Sequence, residues 1–209
     1  EGMMEKPGMT VSRWIDGVMY PNDVVDQGPN LRAMVYWGHA PNSQTRGLEL
    51  KKAMDKLDLL VVVDPFPSAT AAMAAMPGKA EDLNPNRAVY LLPATTQFET
   101  SGSVTASNRS LQWREKVIEP LYESRTDHMI MYQLAQKLGF DKELVKNYKM
   151  QTVKGNPEPI PDDILREMSR SVWTIGYTGQ SPERLQAHMR NMHVFDANTL
   201  RAKGGVDKL

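Results

Sequence analysis

Leu59-Leu60-Val61-Val62-Val63-Asp64-Pro65 is the most hydrophobic stretch of the 209-residue chain. Five aliphatic residues in a row, with no polar residue at alternate positions, suit a strand covered on both faces, as the strands of parallel sheets are. Asp64-Pro65 ends the run, because proline has no N–H to give to a ladder. Upstream, Ala33-Met34-Val35-Tyr36 is a second apolar run, broken by Gly38-His39-Ala40-Pro41-Asn42. Between the two runs, Leu50, Ala53, Met54 and Leu57 recur at helical spacing. Downstream, residues 68–76 are small and begin at Ser68, a possible N-cap. Residues 77–86 are polar and turn-rich, and Ala88 to Leu92 forms a third apolar run stopped by Pro93. Strand–helix–strand–helix–strand order predicts right-handed crossovers and an open, mostly parallel sheet flanked by helices: an α/β fold.

Beyond Pro93 the pattern weakens. Residues 94–113 are rich in Thr, Ser and Asn and read as a loop with short extended pieces at 103–105 and 111–113. Thr126 then caps a helix whose apolar residues Ile130, Leu134 and Leu138 stack at i, i+4, i+8, and Gly139 closes it. Gly155-Asn156-Pro157-Glu158-Pro159 reads as a linker-like turn. Ile164, Leu165, Met168 and Val172 predict a helix after Pro161. Ser181-Pro182 starts another, with proline at the first helical position and Leu185, Met189 and Met192 on its apolar face. The expected organisation is a lead-in segment from a preceding domain (1–30), an α/β domain (31–139) and an irregular, mainly helical C-terminal tail (140–209). Trp37, Trp113 and Trp173 are most simply core or interface residues.

Composition narrows the function. Lys plus Arg number 25 and Asp plus Glu number 25, so the balanced charge argues against a nucleic-acid binder. There is no cysteine, so no disulfide, thiolate metal site or cysteine-ligated cluster can form within this chain. No apolar run reaches the roughly 18 residues a membrane helix needs. His188 and His193 are not in HExxH register, so no metal site is expected. The start Glu-Gly-Met-Met and the end Gly-Gly-Val-Asp-Lys-Leu suggest an excised piece of a longer chain.

Four local features qualify as ligand contacts. The segment from Gly38 to Asn42 directly follows a strand, and ligands of open α/β sheets sit at the carboxyl ends of strands. It is neither a GxGxxG fingerprint nor a P-loop, and an ordinary strand-to-helix connection competes. Asp64 ends the hydrophobic strand; its carboxylate suits sugar hydroxyls or guanine N–H groups, or merely terminates the strand. The loop Glu99-Thr100-Ser101-Gly102, with Asn108-Arg109 beyond it, offers donors and one cation, or is a solvated surface loop. Asp127 sits in the first turn of its helix, where the dipole alone favours an acid.

Several of these stretches occur together in one known order. Trp37-Gly38-His39-Ala40-Pro41-Asn42, Leu60 to Pro65, Leu91-Leu92-Pro93, Glu99 to Ser103 with Asn108 to Trp113, and Thr126-Asp127 resemble the third domain of molybdopterin oxidoreductases. The wider wording, from Gly38 through Gly204, resembles the alpha (major) subunit of bacterial molybdenum- or tungsten-dependent formate dehydrogenases. That resemblance implies a parent enzyme oxidising formate to carbon dioxide on a metal held by two pterin-guanine dinucleotides (bis-molybdopterin guanine dinucleotide), with a [4Fe-4S] cluster upstream of this segment. It implies that this segment cradles one dinucleotide through Gly38, Pro41, Asn42, Val63, Asp64, Thr100, Gly102 and Asp127. It places no catalytic residue and no metal ligand here, so the segment is not catalytic alone. The insertion at 77–86 departs from the family's usual link between its second and third strands. Expected partners are the other domains of the subunit and an iron–sulfur electron-transfer subunit, with the bacterial periplasm rather than the cytoplasm as the compartment. Two alternatives stand: the same domain from a nitrate-reductase-like enzyme, and a subunit-interaction module whose polar loops bind nothing.

Overall fold

A computed structural model describes residues 9–20, 31–39, 45–67, 86, 88–108, 110–171 and 179–190. The helix expected over 68–76, Trp173, Val172, His193 and Met192 lie outside these residues. The chain divides into two compact units, Met4–Ala94 and Thr95–Leu209. The stretch 31–139 drawn from the sequence spans both.

In the first unit, β1 (Ala33–Trp37), β2 (Leu59–Asp64) and β3 (Ala88–Pro93) form a parallel sheet in the order β1-β2-β3. Tyr36 pairs with Val62, and Val62 with Leu91. The run Leu59–Val63 thus becomes the central strand, as its unbroken hydrophobicity predicts. The link from β1 to β2 carries helix α2 (Gly47–Lys56), whose Leu50, Ala53 and Met54 are buried against Tyr36, Leu57, Leu60 and Val62.

The same cluster holds Trp14, Ile15 and Val18 of a short helix, α1 (Trp14–Met19). Six residues show too little of a 3.6-residue period to be read, so 1–30 reads from sequence only as a lead-in segment. Trp14 meets Tyr36 edge to face, with centroids 6.1 Å apart and planes at 78°. Asp16 on α1 is held by the Arg46 guanidinium at 2.8 Å and by Arg13 at 3.0 Å. Arg46 precedes α2 in a left-handed conformation (φ 64°) and also binds Glu49. One guanidinium therefore ties α1 to the start of α2.

The second unit is built on two hairpins and helices. β4 (Gly102–Thr105) and β5 (Leu111–Arg114) pair antiparallel, so the two extended pieces expected in the loop find each other. Helix α3 (Asp127–Leu138) is capped by Thr126, whose hydroxyl accepts from Met129 N at 3.2 Å, and closed by Gly139 at φ 81°. The expected inward stripe Ile130–Leu134–Leu138 is not the buried one. Met129, Ile130 and Ala135 are buried, whereas Leu134 and Leu138 are 51% and 64% exposed. Ile130, Met131, Leu134 and Leu138 lie within about 100° of the helix circumference, yet only Ile130 among them is buried, so packing and not periodicity set the buried side.

The short helix α4 (Asp141–Leu144) follows. The supposed linker at 155–159 is half of a hairpin: β6 (Met150–Val153) pairs with β7 (Asn156–Pro159). Lys154 and Gly155, at φ 49° and 78°, make the two-residue turn, both positive as a type I′ turn requires. Pro157 and Pro159 within it hid the strand, since proline suggests a break but is tolerated at a sheet edge. Lys154 Nζ donates to the Pro120 carbonyl at 2.9 Å. Helices α5 (Pro161–Ser171) and α6 (Pro182–Arg190) bury Leu165 and Leu185 against Trp113. Ser181 caps α6 through Arg184 N at 3.1 Å. No helix among the described residues is long and apolar enough to cross a membrane.

Two outcomes test this architecture. Leu60→Ala leaves a hole between β2 and α2 and is expected to cost about 2–5 kcal/mol, read as a lower midpoint in urea; an unchanged midpoint contradicts this core. The hydrogen bond from Arg46 holds the Asp16 carboxyl below its ordinary value, outweighing desolvation, with the charges of Arg46 and Arg13 adding to it. A lowered folded value means stability that is complete above the unfolded value of about 3.9 and lost as pH falls through the folded one. Asp16→Asn should therefore reduce stability near neutrality and flatten the acid limb of stability against pH; an acid limb as steep as the parent's contradicts it.

Candidate functional site

The carboxyl end of the parallel sheet carries the first group of candidates. Gly38 follows β1 at φ 57°, a left-handed conformation that strains any L side chain. Its N–H donates to the Val63 carbonyl at 2.9 Å, and among the described residues, its two chain neighbours aside, no atom lies within 4 Å of where a Cβ would stand. The backbone is therefore pinned on one side and open on the other. His39 lies parallel to the Tyr36 ring, centroids 6.0 Å apart. Pro41 and Asn42 lie outside the described residues. Val63 is only 1% exposed, so its side chain belongs to the core and its backbone alone reaches the strand end.

Asp64 is half-buried at the end of β2, and its Oδ1 accepts the Phe66 N–H at 3.0 Å. It borders a cleft of about 220 Å³ formed with Phe66, Pro67, Leu92 and Pro93. Phe66 is 68% exposed. An acidic acceptor beside an exposed aromatic ring can hold a flat, donor-bearing ring.

The second unit places Thr100 on a small polar cavity of about 70 Å³, together with Glu99, Ser101, Thr126, Gln151 and Glu158. The Thr100 hydroxyl donates to the Ser101 carbonyl at 3.3 Å. Gly102 opens β4 at φ 152°, a conformation that excludes most other residues. Arg109 lies outside the described residues. Asp127 is exposed in the first turn of α3, directly after Thr126. The cavity thus joins Thr100 to the cap of the helix that carries Asp127.

Glu99, taken from the sequence as part of a ligand loop, is a buried staple. It accepts the N–H of Thr96 at 2.6 Å and of Leu121 at 2.5 Å, and the Ser124 hydroxyl at 3.3 Å. Burial pushes its carboxyl up, but these donors together hold it below the ordinary value.

Glu158 escaped the sequence analysis because it stood in the supposed linker. It is 1% exposed. The Thr126 hydroxyl donates to its Oε2, Gln151 Nε2 donates to its Oε1 at 2.7 Å, and His128 Nε2 lies 3.3 Å from the same Oε1. Burial again raises the carboxyl, and the contacts of His128, Thr126 and Gln151 outweigh it, so the net shift is downward. The two-residue turn at Lys154-Gly155 was the available signal: it puts Glu158 on a strand, opposite Gln151. Among the described residues no group of three or more His, Cys, Asp or Glu is placed to hold a metal ion.

The molybdopterin oxidoreductase family model matches residues 30–137, just over half of the chain. A protein assigned as a formate dehydrogenase in Staphylococcus aureus (strain bovine RF122 / ET3-1) is 33% identical over 137 residues, covering 66% of this chain and 11% of that protein. Trimethylamine-N-oxide reductase from Vibrio cholerae serotype O1 is 29% identical over 149 residues, covering 65% of this chain and 16% of that protein. The chain thus spans between a tenth and a sixth of the length of these relatives. Among solved structures, acetylene hydratase from Pelobacter acetylenicus is similar with a TM-score of 0.50 at 16% identity, over 83% of this chain and 19% of that one. That likeness concerns the fold alone. The ordered strands, the strand-end glycine and acid, and the family match over residues 30–137 agree, and the chain belongs to the molybdopterin oxidoreductase family.

Proposed function

We propose that the chain is the part of a molybdenum- or tungsten-dependent formate dehydrogenase that cradles one pterin-guanine dinucleotide. The observation that carries the proposal is the acid at the carboxyl end of the central parallel strand: Asp64, at the mouth of a cleft beside exposed Phe66. Nucleotides bind open α/β sheets at that edge, and a carboxylate is the natural acceptor for ribose hydroxyls or for the two adjacent N–H donors of guanine. The residues therefore fit the nucleotide end of such a group. The choice of formate draws support from the relatives assigned as formate dehydrogenases.

In this reading each residue has a physical task. The left-handed turn at Gly38 lets the backbone approach a diphosphate without a side chain in the way. Asp64 accepts from ribose or guanine, with the Val63 backbone beside it. Thr100 and Gly102 shape a polar contact in the second unit, and Asp127 accepts from the guanine edge. Pro41 and Asn42 belong to the same proposed nucleotide loop. When bound, the metal–pterin group supplies the two-electron chemistry of formate oxidation; this chain binds and orients it.

The chain has no cysteine, so it supplies neither a thiolate to the metal nor ligands to a cluster. Those functions, the [4Fe-4S] cluster and contact with an iron–sulfur subunit are proposed for the rest of a periplasmic parent. A second reading keeps the cradle and changes the substrate, because trimethylamine-N-oxide reductase is similar over nearly the same share of the chain.

Asp127→Ala and Asp64→Asn, each made in the intact parent enzyme, test the cradle. Losing a charged acceptor is worth about 1.5–3 kcal/mol, so guanine and molybdenum or tungsten content per chain should fall about ten-fold after extended dialysis. Unchanged content in both variants rejects the cradle. Formate-dependent dye reduction, against trimethylamine-N-oxide-dependent oxidation of reduced viologen, decides the substrate.

A further inference from the structure

Asp127 stands between two residues that face the same buried carboxylate. Thr126 is the cap of α3 and His128 is the second residue of its first turn; both approach Glu158 on β7. The two oxygens of Glu158 are divided between them, Oε2 taking the Thr126 hydroxyl and Oε1 facing His128 and Gln151. A threonine hydroxyl has one proton. Because that proton goes to Glu158, the oxygen keeps its lone pairs for the Met129 N–H, which is the capping bond itself. Glu158 therefore orients the cap, and with Thr126 and His128 turned inward, Asp127 is the residue of this turn left exposed.

Burial of a carboxylate is costly unless it is fully paired. An apolar residue at 158 would cover α3 as well as Glu158 does, but it could not orient the Thr126 hydroxyl. Lys116, on the same cavity, is paired with Glu119 at 2.6 Å; Thr126 and Gln151 donate to Glu158, and His128 Nε2 lies 3.3 Å from it.

We infer that Glu158 is a positioning residue: through Thr126 and His128 it fixes the first turn of α3, and so sets how tightly Asp127 holds guanine. This rests on the proposed cradle and assigns a role there to a residue that makes no contact with the ligand itself.

The test uses the intact enzyme and reads guanine retained per chain, released as GMP by acid and quantified by chromatography. Glu158→Gln, Asp127→Ala and the double variant are compared at a dialysis time at which each single variant keeps measurable guanine. Disorienting a cap is expected to lower retention about five-fold in Glu158→Gln. In the Asp127→Ala background the same change should add nothing, since the two residues act on one contact. Full retention by Glu158→Gln, or an equal further loss in the double variant, overturns the inference. A residue with a merely structural role gives that equal further loss. If Asp127→Ala alone loses no guanine, the cradle assignment of Asp127 fails; if it loses guanine and Glu158→Gln does not, only the positioning role fails. Should Glu158→Gln not fold, Thr126→Val and Thr126→Ser replace it. Valine removes the hydroxyl and should lower retention, serine should restore it, and equal retention by both overturns the inference.

Discussion

Parallel pairing on both edges of β2 is the constraint from which the first unit follows. A parallel neighbour cannot be reached by a tight turn, so the chain must leave the sheet and return over one of its faces. Between β1 and β2 that return is α2, and the apolar side of α2 meets the apolar side chains of β1 and β2 in one core. The same arrangement leaves the carboxyl ends of β1 and β2 side by side. Gly38 and Asp64 come to one edge because the strands run in one direction, and the Gly38 N–H closes the edge by bonding Val63. The candidate nucleotide site in this unit is thus a consequence of strand direction.

The second unit solves a different problem. Much of it is loop, and loops carry backbone N–H groups that need partners. One buried carboxylate, Glu99, meets that need, and a second, Glu158, ties side chains. Glu99 gathers amides from Thr96 and Leu121, which anchors the loop between β5 and α3. Glu158 gathers side-chain donors at the start of α3. In both, desolvation disfavours the charge and several short donors outweigh it, so the ionised forms belong to the folded state. Glu99 looks like a ligand group in the sequence and proves to be an internal tie.

Family membership and substrate are separate matters in this light. Similar proteins carry names that point to formate, trimethylamine-N-oxide and acetylene, while the features in this chain that look suited to a ligand concern a nucleotide. The proposed cradle would hold the common part of a cofactor, which has little reason to vary with the substrate.

Residues whose neighbours lie close in the sequence were legible in advance. The three strands stood out as aliphatic runs, Thr126 and Gly139 marked both ends of α3, and Gly38 and Asp64 stood at strand ends where the folded chain indeed has them. Each depends on backbone preference or local hydrophobic pattern, which a window of a few residues contains. Four things were decided by tertiary structure. Helix α1 forms because Trp14, Ile15 and Val18 enter the core around Tyr36, and six residues have no period of their own. The buried side of α3 was set by packing and departs from the apolar row that periodicity picks out. The strand β7 was set by its partner β6 despite two prolines. Glu158 became a buried tie only when that hairpin brought it to Thr126, a contact across 32 positions of chain. Sequence by itself determined the elements and their order; contacts between distant residues decided which acids point inward to hold the fold and which stay exposed, because burial depends on the whole packed chain and not on any window of it.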